Sequence, residues 1–238
     1  RAFNMTYQDK ENKLSYVHQT SWGVTTRLIG ALIMSHGDNN GLVLPPDVAP
    51  IQVVILPIAQ HKEGVLDKAY ELKERLAKSF RVKVDDSENS AGWKFAEYEM
   101  KGVPLRLEIG PKDIENNQCV LVRRDNREKI FVSLDNLEAE ITKALEDFAK
   151  AIYDKALENL NKHTFACTTI DEINKALAEN GDGFIKAMWC GEEECEDKVK
   201  ELTGVGSRCI PFEQEKLSDK CVCCGKPATQ MVYWGKAY

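Results

Sequence analysis

The feature that most constrains this chain is IQVVILPI, residues 51–58, a nearly unbroken apolar run that follows Pro50. A strand with one wet face alternates polar and apolar residues, so a continuous run predicts a strand covered on both faces. Covering both faces takes helices, and the next residues supply one. Val65, Ala69, Leu72 and Leu76 recur at three- and four-residue steps, the stripe of an amphipathic helix. Residues 81–84 then read as a short strand, 92–101 as a second helix, and 105–109, 120–123 and 129–132 as further strands. A long helix closes the unit, with Leu134, Leu137, Ile141, Leu145, Phe148, Ile152 and Leu160 on its apolar stripe. This alternation predicts an α/β domain over residues 49–162, with a mostly parallel or mixed sheet wrapped by helices.

The flanks differ. Residues 1–48 read as the last strands and closing helix of an α+β domain, with Tyr16 and Val17 in a strand. Residues 26–35 follow as a helix whose Leu28, Ile29, Leu32 and Ile33 predict a buried element. Pro45, Pro46 and Pro50 cannot continue a helix and suit an extended linker, which places a domain boundary there. The chain has no initiator Met and opens as if a strand were under way, so it reads as part of something longer. Residues 163–238 carry a short helical pattern at 170–180 and most of the cysteines. A domain this small needs a staple.

Charge and cysteine usage narrow the function classes. The net charge is −6, balanced over residues 1–50, −2 over 51–162 and −4 over 163–238. A general polyanion binder would be basic, so any RNA contact must come from a local arrangement. No run of about 18 apolar residues and no signal-peptide core is present, which argues against membrane-spanning helices and secretion. Eight cysteines without a secretory signal favour metal ligation over disulfides.

Three groups of residues could carry chemistry. Arg27 stands where a strand gives way to a helix, after Trp22, Gly23 and Thr25. Guanidinium stacks on flat rings and grips phosphate, so a nucleotide contact is one reading. A surface residue or structural ion pair is the other, and Thr25 could simply cap the helix. Phe95 and Glu99 lie four apart on one helix face, an aromatic beside a carboxylate, with Arg106 and Lys112 further on. Core packing for Phe95 and a solvated face for the charges is the alternative. Cys190 and Cys195, followed after 25 residues by Cys221, Cys224 and Gly225, can close a tetrahedral Zn–S4 site. A CxxC redox pair or incidental thiols would compete. Cys209 and Cys223 could substitute in a shifted register, whereas Cys119 and Cys167 read as small buried apolar residues. His18 and His36 read as structural.

The stretch HQTSWGVTTRLIGALIMSHGDNNGLVLPP, residues 18–46, resembles motif 3 of the prolyl-tRNA synthetases, class IIa aminoacyl-tRNA synthetases, of the archaeal and eukaryotic type. The resemblance runs to the last residue, through GWKFAEYEMKGVPLRLEIGPKD (92–113) and VLVRRD (120–125). It implies that residues 1–48 end a class II antiparallel catalytic sheet, that 49–162 bind the anticodon, and that 163–238 form a small α+β zinc domain. Thr25 and Arg27 would then contact ATP, and Ser21, Trp22 and Gly23 would floor the proline pocket. Phe95, Glu99, Arg106 and Lys112 would read the anticodon guanines of proline tRNA, with Arg123 and Arg124 as candidate backbone contacts. Cys190, Cys195, Cys221 and Cys224 would hold structural Zn2+, and Tyr238 would tuck back toward the catalytic domain. The implied reaction is ATP-dependent activation of proline, with Mg2+, and transfer to tRNA by a cytoplasmic homodimer. Motifs 1 and 2 and the proline-recognition loop are absent, so this chain alone is expected to be inactive. Two competing classes are a non-catalytic tRNA-binding paralogue or accessory module and a zinc-dependent interaction domain. The intact 19–27 stretch argues against a pure binder, which has no use for a motif 3 arginine.

Overall fold

The computed structural model describes residues 3–181 and 183–237, so Tyr238 lies outside the described residues. The apolar run becomes β3 (Val53–Pro57), buried at every position and paired on both edges in a five-stranded sheet of order β4-β3-β5-β6-β7. β4 (Val82–Val84) and β5 (Leu105–Ile109) flank β3 in parallel, while β6 (Gln118–Arg123) and β7 (Lys129–Ser133) continue antiparallel. The sheet is thus mixed.

Alternate β3 residues feed two cores, as the strand's period of two requires. Val53 and Ile55 pack with Ala69, Leu72 and Leu76 of α2 (Val65–Leu76) and with Leu137 and Ile141 of α5 (Leu137–Lys162). Val54 and Leu56 face the other way, against Phe95 and Tyr98 of α3 (Ala91–Met100) and Val103. A short α4 (Pro111–Glu115) follows β5. Along α5 the expected stripe holds from Leu137 to Ile152, but Leu160 is exposed.

The amino-terminal part departs from expectation. β1 (Thr6–Gln8) and β2 (Leu14–Tyr16) form an isolated two-stranded antiparallel sheet, and α1 (Arg27–His36) has no buried residue. Leu28, Ile29 and Ile33, read as a buried face, are 59%, 62% and 43% exposed. Periodicity reveals that a helix has a face to cover but not what covers it, and β1–β2 is too small a sheet to do so.

The proline-rich segment is not a loose extended linker. The Arg81 guanidinium donates to the carbonyls of Ala49 (2.8 Å), Pro46 (2.6 Å) and Asp47 (3.1 Å), and Ala49 is fully buried. Just before it, Leu42 and Leu44 donate to Met100 and Gly102. Gly41 (φ +128°) permits this contact, since a Cβ there would lie 2.5 Å from the Met100 backbone.

The last sheet has order β10-β11-β9-β8, from β8 (Thr164–Ala166), β9 (Phe184–Trp189), β10 (Val205–Cys209) and β11 (Gln230–Lys236). Helices α6 (Ile170–Asn180) and α7 (Glu193–Thr203) contribute Ile173 and Val199 to a core around the fully buried Trp234. Three sheets with interleaved helices make the chain a mixed α/β protein.

Candidate functional site

Helix α3 starts cleanly because the Ser90 hydroxyl accepts from the Trp93 N–H, and its pitch stacks Phe95 below Glu99. Register places Arg106 beside Val54 and Glu108 beside Leu56, so both β5 charges face α3. There the Arg106 guanidinium lies 3.9 Å from the centre of the Phe95 ring. Its Nε donates to Glu108 Oε1 (2.9 Å) and its Nη1 to Glu99 Oε1 (3.2 Å). The second Glu99 oxygen sits 3.6 Å from Arg127. Three of the four expected residues therefore assemble. Phe95 is not a bare stacking platform, since Arg106 lies over its ring and the ring packs against the Val54 core. Arg106 is only 8% exposed, leaving Glu99 as the more accessible charge. Lys112 is exposed on α4 and, among the described residues, makes no ion pair or hydrogen bond with its side chain. Glu108 and Arg127 went unread in the sequence. Alternation along β5 could have flagged Glu108, whereas Arg127 arrives through the β6–β7 turn.

Arg123 and Arg124, expected as backbone contacts, are committed within the chain. Arg123 grips Asp125 with Nε and Nη2 (3.0 and 2.7 Å). Arg124 forks onto Asp38 (2.8 and 2.7 Å) and donates to the Glu99 carbonyl. That guanidinium, the largest influence on it, holds the Asp38 carboxyl well below the usual carboxylate range. A side chain 2% exposed and already bidentate has no free edge for a phosphate, which corrects the sequence reading.

The cysteines of two distant stretches meet. Cys190 follows β9, Gly191 turns the chain (φ +92°), and Cys195 enters in the first turn of α7, where burial holds its thiol well above the ordinary range. The second pair sits in a tight knuckle, with Gly225 N–H on the Cys221 carbonyl and Cys221 N–H on that of Lys226. The knuckle is pinned to β9 by Val222 N–H on the Met188 carbonyl and Thr229 N–H on that of Trp189. All four Sγ atoms lie within 4.8 Å of one another, and Cys190 and Cys224 are 3.8 Å apart. A tetrahedron of thiolates about 2.3 Å from a zinc ion has edges of about 3.8 Å, so the donor set fits that ion. The Lys226 backbone N–H brings the Cys224 thiol down to about 7, while burial raises Cys190. Cys209 and Cys223 stay outside the cluster. Cys119 and Cys167 are buried, and burial pushes the Cys119 thiol up to about 12, as suits an inert apolar residue.

Ser21, Trp22, Gly23, Thr25 and Arg27 are all exposed, Trp22 at 94%. The Thr25 hydroxyl accepts from the Arg27 N–H (3.3 Å), a local turn contact. A Cβ at Gly23 would meet nothing within 4 Å, so no pocket closes on this turn among the described residues.

Residues 52–144 match the family described as the anticodon binding domain, and residues 170–238 the family described as the prolyl-tRNA synthetase C-terminal domain. Both matches point to the aminoacyl-tRNA synthetases as the class that the chain resembles. Across all 238 residues the chain is 65% identical to a proline–tRNA ligase of Ruminiclostridium cellulolyticum and 64% identical to one of Clostridium novyi, covering 50% of each. A crystal structure of prolyl-tRNA synthetase from Cryptosporidium parvum, complexed with halofuginone and AMPPNP, superposes with a TM-score of 0.88 at 39% identity. That match covers 99% of this chain and 51% of the other. The chain resembles prolyl-tRNA synthetases over its whole length and spans about half the length of the curated relatives it matches.

Proposed function

We propose that this chain supplies anticodon recognition, a structural zinc centre and part of the nucleotide site to a proline–tRNA ligase. The observation that carries the reading is the convergence of Phe95, Glu99 and Arg106 inside the segment that matches an anticodon-binding domain. Single-stranded bases are read by stacking and by hydrogen bonds to their edges. Glu99, held by Arg106 and Arg127, is an acceptor for the N–H groups of guanine. Lys112, whose side chain has no internal partner among the described residues, is available to a phosphate or a base acceptor.

Zinc would be held by Cys190, Cys195, Cys221 and Cys224, and four protein thiolates leave no open position, so the ion's role is structural. Thr25 and Arg27 would contact ATP, and Ser21, Trp22 and Gly23 would lie at the proline pocket. The chemistry would be in-line attack of the proline carboxylate on the α-phosphate of ATP, displacing pyrophosphate, followed by transfer of the prolyl group to a terminal hydroxyl of proline tRNA with release of AMP. Positioning and charge stabilisation dominate such a reaction, and a guanidinium stacked on adenine serves positioning. The whole protein would act as a cytoplasmic homodimer. Among the described residues no helix is long and apolar enough to cross a membrane.

The test is binding of the chain to proline-tRNA anticodon stem-loops with native and substituted guanines, at one fixed salt concentration. Affinity that falls only when the guanines change supports the reading. Indifference to the anticodon removes it.

A further inference from the structure

A cavity of about 430 Å³ opens on the anticodon-type domain, lined in part by Leu56, Gln60, His61, Glu88, Asn89 and Lys94. It lies where the topology reverses. From β3 the chain crosses by α2 to β4 on one side, then returns by α3 to β5 on the other, with α2 and α3 on opposite faces. Crevices beyond the carboxyl ends of strands at such a point are where α/β sheets bind ligands. We propose that this crevice is a second nucleobase subsite, taking an unpaired base next to those read at Glu99.

Adjacency comes from the register. Leu56 lines the crevice, packs in the core that holds Phe95, and pairs across the sheet with Glu108, whose carboxylate holds Arg106. Lys94 on the crevice wall immediately precedes Phe95 on α3. Along β3 the two sites are two residues apart, Val54 beside Arg106 and Leu56 in the crevice, a spacing suited to neighbouring nucleotides of one loop.

The walls are preorganised. The Gln60 amide donates to the carbonyls of Asp86 and Ser87 (3.0 Å each), and its oxygen accepts from Lys94 Nζ (3.2 Å). Lys94, 3% exposed, also donates to the Asp85 carbonyl (2.9 Å) and sits 3.8 Å from the Asp85 carboxylate. Its charge is thus matched, and Glu88 adds a carboxylate, so the lining disfavours an anion. Exposed His61 and Asn89 each offer donor and acceptor atoms beside apolar Leu56, the combination that suits the face and edge of a neutral heterocycle.

The proposal rests on the anticodon reading, and one experiment separates the two. Affinity of the 238-residue chain for the proline anticodon stem-loop is measured by fluorescence anisotropy, with an abasic residue placed at each unpaired position in turn. The variants are Asn89→Ala and His61→Ala, both at exposed positions, and Glu99→Ala as the control. One abasic position outside the guanines read at Glu99 should weaken binding at least about fivefold in the parent chain, the scale of one lost base contact. That penalty should fall below about twofold in Asn89→Ala or His61→Ala. If Glu99→Ala weakens binding but no abasic penalty disappears in the crevice variants, the subsite is overturned alone. If Glu99→Ala is also without effect, the anticodon reading fails and the subsite falls with it.

Discussion

At the scale of single residues, the proposed base selectivity rests on Glu99. A carboxylate shared between Arg106 and Arg127 has fixed lone pairs, and a fixed acceptor discriminates among base edges better than a mobile one. Glu99→Ala should reduce the preference for guanine over adenine at the read positions by about tenfold, within the range for one well-made base contact. Competition binding with the two stem-loops measures this, and an unchanged preference removes Glu99 from the site. Glu108→Gln should act more weakly through Arg106, since it touches the guanidinium and not the base. Asp38 makes a different prediction. Its folded carboxyl lies below the ordinary 3.8, so the Arg124 pair stabilises above that value and is lost as pH falls through the folded one. The stability gap between the parent and Asp38→Asn should be full at pH 7 and shrink below about pH 4. Urea titrations across that range read it directly.

Elements set what each of these residues can reach. Leu72 on α2 is fully buried between β3 and the rest of the main core, so Leu72→Ala should cost roughly 2–5 kcal/mol. Thermal unfolding of residues in the five-stranded sheet should shift accordingly. The knuckle around Cys221 and Cys224 is held to β9 by a few backbone hydrogen bonds and by Val222 in the core, and a metal on the four thiols would be its further support. The purified chain should bind one zinc ion, and Cys195→Ser should lower that stoichiometry. Chelation should unfold the β8–β11 unit while leaving the β3–β7 unit's transition in place. A chain that holds no zinc, or melts unchanged after chelation, rules out a structural centre. Strand and helix positions were mostly legible in the sequence here, because β3 and α2 bury what their periodicity says they bury.

On the scale of the molecule, the amino-terminal segment is tied to the sheet by Arg124–Asp38 and by Leu42 and Leu44, yet its own helix offers Leu28, Ile29, Ile33 and Met34 to solvent. An apolar face of this kind marks an interaction surface. If Arg27 belongs to the nucleotide site, Arg27→Ala in the full-length enzyme should depress proline-dependent ATP–pyrophosphate exchange and leave tRNA affinity nearly unchanged. Equal loss of both would sink the assignment.

What the sequence determined by itself were the properties written in local spacing. These are the doubly covered strand at Val53–Pro57, the α2 stripe, the pairing of Phe95 with Glu99, and two pairs of thiols that could share one ion. Tertiary structure decided the rest. It committed Arg123 and Arg124 to Asp125 and Asp38, laid Arg106 over Phe95, fastened the proline-rich segment through Arg81, and left α1 uncovered. Periodicity and motif spacing report which side chains a single element presents. Which distant carboxylate, ring or carbonyl meets them depends on how elements far apart in the chain are packed together, and that partner alone decides whether a charge is spent inside the fold or left for a ligand.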